Sequence, residues 1–212
     1  MNKGFKALRK QIFTKNVFLT IFCFFLLISA SAATEGEPMR QVKETVDKIL
    51  AILDDPQYAA KEKAEMKKKL IVSIVEERFD FKEMSQRTLA ANWRRINADE
   101  QNTFVELFSK LLENTYIQKI EQYSGEKVQY GGQEVRGNRA VVESNVVRNG
   151  IETPLIYRLK SDPAGKWWVY DVVIEGVSLV SNYRSQFSGV IEKEKFSGLV
   201  ARLEQKIAGL EE

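Results

Sequence analysis

Histidine is absent from all 212 residues, and cysteine occurs once, as Cys23. Without histidine, no Ser–His or Cys–His pair can activate a nucleophile. A zinc or copper site built on His and Cys ligands is excluded for the same reason. A lone cysteine also has no partner for an internal disulfide, so the fold must stand on its own core. An unbroken membrane span is missing too. It would need about 20 consecutive apolar residues, and the apolar run Val17–Ile28 is far shorter.

That run has a specific setting. Lys3, Lys6, Arg9, Lys10 and Lys15 precede it, and Ser29-Ala30-Ser31-Ala32-Ala33 follow it. A basic segment, an apolar core and small residues in this order are the pattern of a cleavable export signal. The expected leader is residues 1–32, with cleavage after Ala32 (after Ala33 as the alternative site), leaving one domain over 33–212 in the periplasm. Cys23 lies in the middle of the run, where a lipidated cysteine would not be. The leader holds five of the 32 basic residues and none of the 29 acidic ones, so the rest carries 27 basic against 29 acidic. The basic balance thus belongs to the leader. A nucleic-acid partner, which needs a basic face, is not expected.

Beyond the leader, apolar residues recur with helical spacing in three segments before residue 96. These are Pro38–Asp54, Pro56 to about Asp80, and Phe81–Arg95. Asn97 and Glu100 then form a capping-box pattern ahead of a helix carrying Phe104, Phe108, Leu112 and Tyr116. From Lys127 the period becomes two. Strands are expected at Lys127–Tyr130, Gln133–Arg136, Arg139–Arg148, Ile151–Lys160 and Trp167–Ile174, separated by Gly- and Asn-rich turns. Helix returns over Val177–Glu192 and Phe196–Leu210.

Asn149-Gly150 marks a two-residue hairpin. It pairs Arg148 with Ile151 and, further along, Val142 with Tyr157. If the next loop spans Ser161–Lys166, Tyr157 faces Tyr170 and Leu159 faces Trp168. One face of the sheet then gathers Ala140, Val142, Val146, Leu155, Tyr157, Leu159, Trp168, Tyr170, Val172 and Ile174. Helices with apolar stripes must cover such a face. The expected fold is therefore α+β, with N-terminal and C-terminal helices packed on one face of a curved antiparallel sheet. The residues alone leave open whether the interior is filled or hollow. If hollow, this face and the stripe Phe104, Phe108, Leu112 and Tyr116 are its candidate walls.

The segment Trp167 to Ser178 contains W-x2-YD-x3-EGVS, written here by Trp167, Tyr170-Asp171 and Glu175-Gly176-Val177-Ser178. With Phe196–Leu203, Asn182–Phe187 and the polar turn Arg94–Gln101, it resembles the MlaC and toluene-tolerance family of periplasmic phospholipid-binding proteins. The likeness spans essentially the whole chain after the leader. It implies a cone like that of the nuclear-transport-factor-2 fold, with a deep apolar pocket. It also implies a phospholipid ligand, no cofactor and no catalysis. The implied partners are an inner-membrane ABC transporter complex, through its MCE-type substrate-binding subunit, and an outer-membrane lipoprotein complex. The implied task is to maintain the lipid asymmetry of the outer membrane, working as a monomer. Other readings are a hopanoid or isoprenoid cargo, a filled interaction module, and an enzyme using the carboxylates of Asp171 and Glu175. In the residue-based reading Glu175 and Ser178 are structural, with Ser178 capping the next helix.

Overall fold

The computed structural model describes residues 36–211, and the expected leader lies outside them. Helix α1 (Glu37–Asp54) starts with Pro38 in its first turn, where a missing N–H costs nothing. Asp54-Asp55-Pro56 ends it. The helix expected from Pro56 is shorter than its pattern: the chain makes two 3-10 turns, Pro56–Tyr58 and Lys61–Lys63, and only Ala64–Glu76 forms α2. Two causes are visible. Asp55 holds the first turn by accepting from the Gln57 N–H at 2.9 Å, and Ala60 is extended between the turns. At the far end Phe79 and Asp80 leave the helix to meet the sheet. Asp80 N–H donates to the Val169 carbonyl, and Val169 N–H donates to the Arg78 carbonyl, each at 2.9 Å.

Asp80 caps α3 (Phe81–Leu89) by accepting from the Glu83 N–H. The helix expected to reach Arg95 stops at Leu89, where Ala90 adopts φ 51° and a 3-10 turn takes over. The capping box forms as its residues suggest: Asn97 and Glu100 exchange side-chain and backbone bonds, each 2.9 Å, at the start of α4 (Ala98–Glu121).

Five antiparallel strands follow as a simple meander, β1 (Lys127–Arg136), β2 (Arg139–Arg148), β3 (Ile151–Ser161), β4 (Trp167–Ile174) and β5 (Val177–Ser178). The two short strands expected around Gly131-Gly132 are one strand. The glycines form an irregularity between Tyr130 and Gln133 rather than a turn. The β2–β3 register is the one set by Asn149-Gly150, whose φ values of 51° and 80° suit the tight mirror-image turn.

The β3–β4 register differs from the expectation, first by one residue and then by two. Asp162 is the first cause. Its carboxylate accepts from the N–H groups of Ala164 and Lys166, and its own N–H donates to the Lys166 carbonyl, so the loop begins at Asp162 and Ser161 pairs with Trp167. A bulge beside Arg158 and Leu159 is the second, and it brings Val172 opposite Tyr157 and Ile174 opposite Leu155. Trp167 and Val169 therefore turn inward, while Trp168 and Tyr170 leave the inner face. The Trp168 indole donates to Asp162 at 2.9 Å, and Tyr170 packs against the helices with the Arg87 guanidinium 4.1 Å from its ring.

After β4, Glu175 and Gly176 both take positive φ, so Val177-Ser178 fold back as β5 rather than opening a helix. Helix α5 runs Leu179–Glu211, broken at Lys195 (φ 61°), with Glu194 and Arg202 paired across the break at 2.6 Å. Two separate cores result. Met39 and Val42 of α1 pack on Val142, Leu159, Trp167 and Val169 of the sheet. Helices α3, α4 and α5 pack on one another around Phe104, Phe108, Phe187, Leu199 and Leu203. Among the described residues, no helix is long and apolar enough to cross a membrane.

Candidate functional site

Between the two cores the apolar side chains do not meet. They enclose a cavity of about 930 Å³ that opens to solvent. That is near the upper end of the ~300–1,000 Å³ typical of small-molecule sites. One wall is the inner face of β2, β3 and β4, through Val146, Leu155, Tyr157, Val172 and Ile174. The second is the C-terminal half of α4, through Leu112, Tyr116, Ile117 and Ile120. The third comes from α1 and α2, through Val46, Ile49, Leu50, Leu53, Val72 and Val75, with Phe79 and Phe81 at its base.

The candidate wall residues therefore divide. Leu112, Tyr116, Val146, Leu155, Tyr157, Val172 and Ile174 line the cavity. Phe104 and Phe108 do not: both are fully buried in the helical core, 5.6 Å apart and edge-on to Phe187 at 5.8 Å. Val142 and Leu159 are equally buried, under α1. Trp168 and Tyr170 lie on the other side of β4 through the register change. The candidate residues do not include the wall from α1 and α2, although its signal exists. Both helices carry apolar stripes longer than one core contact needs. In α1 only the N-terminal part, Met39 and Val42, is buried, and Val46 to Leu53 continue the stripe into the cavity.

Few groups in the walls are polar. Burial pushes the Tyr157 hydroxyl above its ordinary pKa, and the neighbouring Ser144 hydroxyl partly offsets this. Tyr116 is pushed up to about 12 by burial. Both stay neutral across the physiological range and act only as hydrogen-bonding groups on an apolar surface. Charge appears where the lining is exposed, at Glu76, Lys119, Arg148 and Glu175. Glu126 lies beside Arg148, with 3.1 Å between Glu126 Oε1 and Arg148 Nε. The Ser124 N–H, donating at 2.6 Å, holds the Glu126 carboxyl below its usual range.

The EGVS block builds the edge of this site. Asp171 is buried and its carboxylate accepts from Arg158 at 2.9 Å, the Ser178 hydroxyl at 2.7 Å and the Val180 N–H at 3.1 Å. The Ser178 hydroxyl in turn accepts from the Ser181 N–H. Aspartate and serine together cap α5 and tie it to β4, across the tight turn that Glu175 and Gly176 make. Asp171 is thus engaged by three donors on the fold side of the strand, which is a structural arrangement.

Comparison with known proteins agrees with this architecture. The phospholipid-binding protein from Ralstonia solanacearum, whose structure was solved in complex with a phospholipid, superposes with a TM-score of 0.75 at 30% identity, covering 84% of this chain and 100% of that one. The intermembrane phospholipid transport system binding protein MlaC of Haemophilus influenzae is 23% identical over 194 residues, which span 88% of this chain and 91% of the relative. The family model described as MlaC protein matches residues 43–205, which include all three cavity walls. With both the matched stretch and the hollow architecture in place, the chain belongs to the MlaC family.

Proposed function

We propose that this chain is a phospholipid carrier of the periplasm, not an enzyme. In this reading the acyl chains lie in the cavity and the head group stays at the mouth. The observation that carries the reading is the cavity itself: about 930 Å³ left open between two packed cores in one small domain. Protein interiors otherwise close to crystal-like density, so an open apolar volume of this size calls for an occupant. A filled interaction module would have no use for it.

The energetics suit a carrier. A diacyl lipid has roughly 30 methylenes, each worth ~0.8 kcal/mol when taken out of water, or ~24 kcal/mol gross. A carrier must recover most of this, or the lipid stays in the bilayer. Walls of Val, Leu, Ile and Phe recover it without hydrogen bonds that would trap one cargo. Because such binding is nearly balanced against the membrane, it sets no direction. The partners do: an inner-membrane ABC transporter complex with an MCE-type subunit at one end, and an outer-membrane lipoprotein complex at the other. The family and the cavity support this reading, whose outcome would be maintenance of outer-membrane lipid asymmetry by a monomeric shuttle. The lipid-facing residues are Leu112, Tyr116, Val146, Leu155, Tyr157, Val172 and Ile174, with the α1 and α2 wall opposite.

Native mass spectrometry of the mature protein purified from periplasm, with solvent extraction of the bound material, tests this. One diacyl phospholipid per chain is expected. A lipid-free mass that persists after incubation with phospholipid vesicles would overturn the carrier reading.

A further inference from the structure

In an antiparallel meander, β2 and β4 run toward the same end of the sheet, and β1 begins there. The α4–β1 segment, the β2–β3 turn and the β4–β5 turn therefore gather at one end. Each sends residues into the cavity lining: Glu126 from the first, Arg148 and Ile151 from the second, Glu175 from the third. Arg148, Ile151 and Glu175 are exposed there, Ile151 with 71% of its surface open, so the cavity has its mouth at this end.

Arg148 stands at that mouth in a fixed position. Its Nε contacts Glu126, whose side chain is only 9% exposed, whereas that of Arg148 is 55% exposed. Glu126 is fixed in turn by the Ser124 N–H at 2.6 Å and the Ser124 hydroxyl at 3.2 Å. Among the described residues the two η nitrogens of Arg148 have no hydrogen-bond partner. The guanidinium is thus oriented through one nitrogen, while the rest of its fork is free beside an apolar cavity. Such a fork matches two oxygens of one phosphate, which a lysine ammonium does not. The other lining cation, Lys119, lies 5.6 Å from the Tyr116 ring centre, and among the described residues it pairs with no carboxylate.

We propose that Arg148, oriented by Glu126, anchors the phosphodiester of the cargo at the cavity mouth. Lipids with that phosphate are then held in preference to lipids with the same acyl chains and none. The proposal rests on the carrier reading and adds to it a residue and a chemical criterion for cargo. Glu126 is a positioning residue here: it acts on the phosphate through Arg148.

The test loads lipid-free mature protein from vesicles of phosphatidylethanolamine containing a known minor fraction of diacylglycerol with the same acyl chains. Native mass spectrometry counts both complexes. The wild type is expected to prefer the phospholipid by at least about tenfold after correction for composition, the usual worth of charge-assisted hydrogen bonds. Arg148→Gln is expected to remove most of that preference. Arg148→Lys and Glu126→Gln each reduce it by less. If Arg148→Gln fails to fold, judged by its urea midpoint, the two milder variants carry the test. An undiminished preference in the folded variants overturns the assignment. A wild type that takes up neither lipid overturns the carrier reading instead, so the two failures are distinct.

Discussion

Helix α4 takes part in two regions that look alike in sequence and behave oppositely in space. Its first half sends Phe104 and Phe108 into the α3–α4–α5 core, where Phe187, Tyr183 and Phe196 close around them at ring separations of 5.3–6.4 Å. Its second half sends Leu112, Tyr116 and Ile120 toward the sheet and α1–α2, which stand away and leave the cavity. Apolarity is the same in both halves. The difference is what comes from the other side: rings of α5 close over Phe104 and Phe108, whereas the side of the second half that carries Tyr116 and Ile120 borders open volume, with α2 and its one buried residue, Ile71, among the walls beyond it. The first half is thus packed all round, whereas one face of the second half is left as cavity wall.

This division can be broken by matched truncations. Phe108→Ala removes a ring with no exposed surface, and its expected cost is about 3–5 kcal/mol. Ile49→Ala trims a side chain that already faces open volume. It lacks partners on one side, so its expected cost is under about 1 kcal/mol. Urea unfolding of the two lipid-free variants checks the contrast, and equal losses would mean that the cavity is filled by wall motion in solution. Next in size is Asp171→Asn, which weakens the bonds from Arg158, Ser178 and Val180. The expected loss is about 1–3 kcal/mol, because a buried acceptor set is disrupted while Arg158 can turn to water. The same unfolding experiment reads it, and lipid loading of the folded fraction should be unchanged.

Filling the void sharpens the comparison from the other side. Val146→Trp combined with Leu155→Trp adds bulk on the inner sheet face, where both side chains line the cavity. Lipid loading should fall by at least about tenfold, since acyl chains and rings compete for one volume. Lipid-free stability should move by less than about 1 kcal/mol, because the added rings meet space rather than packed neighbours. A large loss of stability would show that the void is smaller in solution than about 930 Å³.

Where local chemistry decides geometry, the sequence is readable, and the β2–β3 hairpin shows it. Asn149-Gly150 permits one tight turn, and every pair from Arg148–Ile151 to Arg139–Lys160 follows. The capping box at Asn97–Glu100 and the Ser178 cap of α5 are readable for the same reason. The β3–β4 register is not. It depends on Asp162 folding its own loop and on a bulge beside Tyr170, and together they exchange Trp168 and Tyr170 for Trp167 and Val169 on the inner face. The lysine-rich start of α2 misleads in another way: a helical pattern persists where Ala60 breaks the chain. The hollow itself has no local signature. Phe108 and Tyr116 sit two turns apart on one stripe, and only the placement of α5 against α2 separates core from cavity wall.

The smallest expected effect concerns a hydroxyl on that wall. Tyr116 has its pKa raised from 10.0 to about 12, first by burial and then by Tyr183 nearby. The sign follows from linkage. The unfolded chain loses this proton near 10, whereas the folded chain holds it until about 12. Below pH 10 the contribution is fully present, and it is lost progressively as pH rises between those two values. Tyr116→Phe should therefore leave stability at pH 7 nearly unchanged and make its decline between pH 10 and 12 shallower than in the wild type. Tyr116 is only partly buried, so solvent screening keeps the difference small. Loading the cavity with lipid removes that solvent. The wild-type and Tyr116→Phe curves should then separate further in the lipid-bound protein than in the lipid-free one, since a bound acyl chain makes ionisation of this hydroxyl costlier still. Urea midpoints measured across that pH range, with and without lipid, check the ordering. Identical separation in the two states would place Tyr116 away from the cargo.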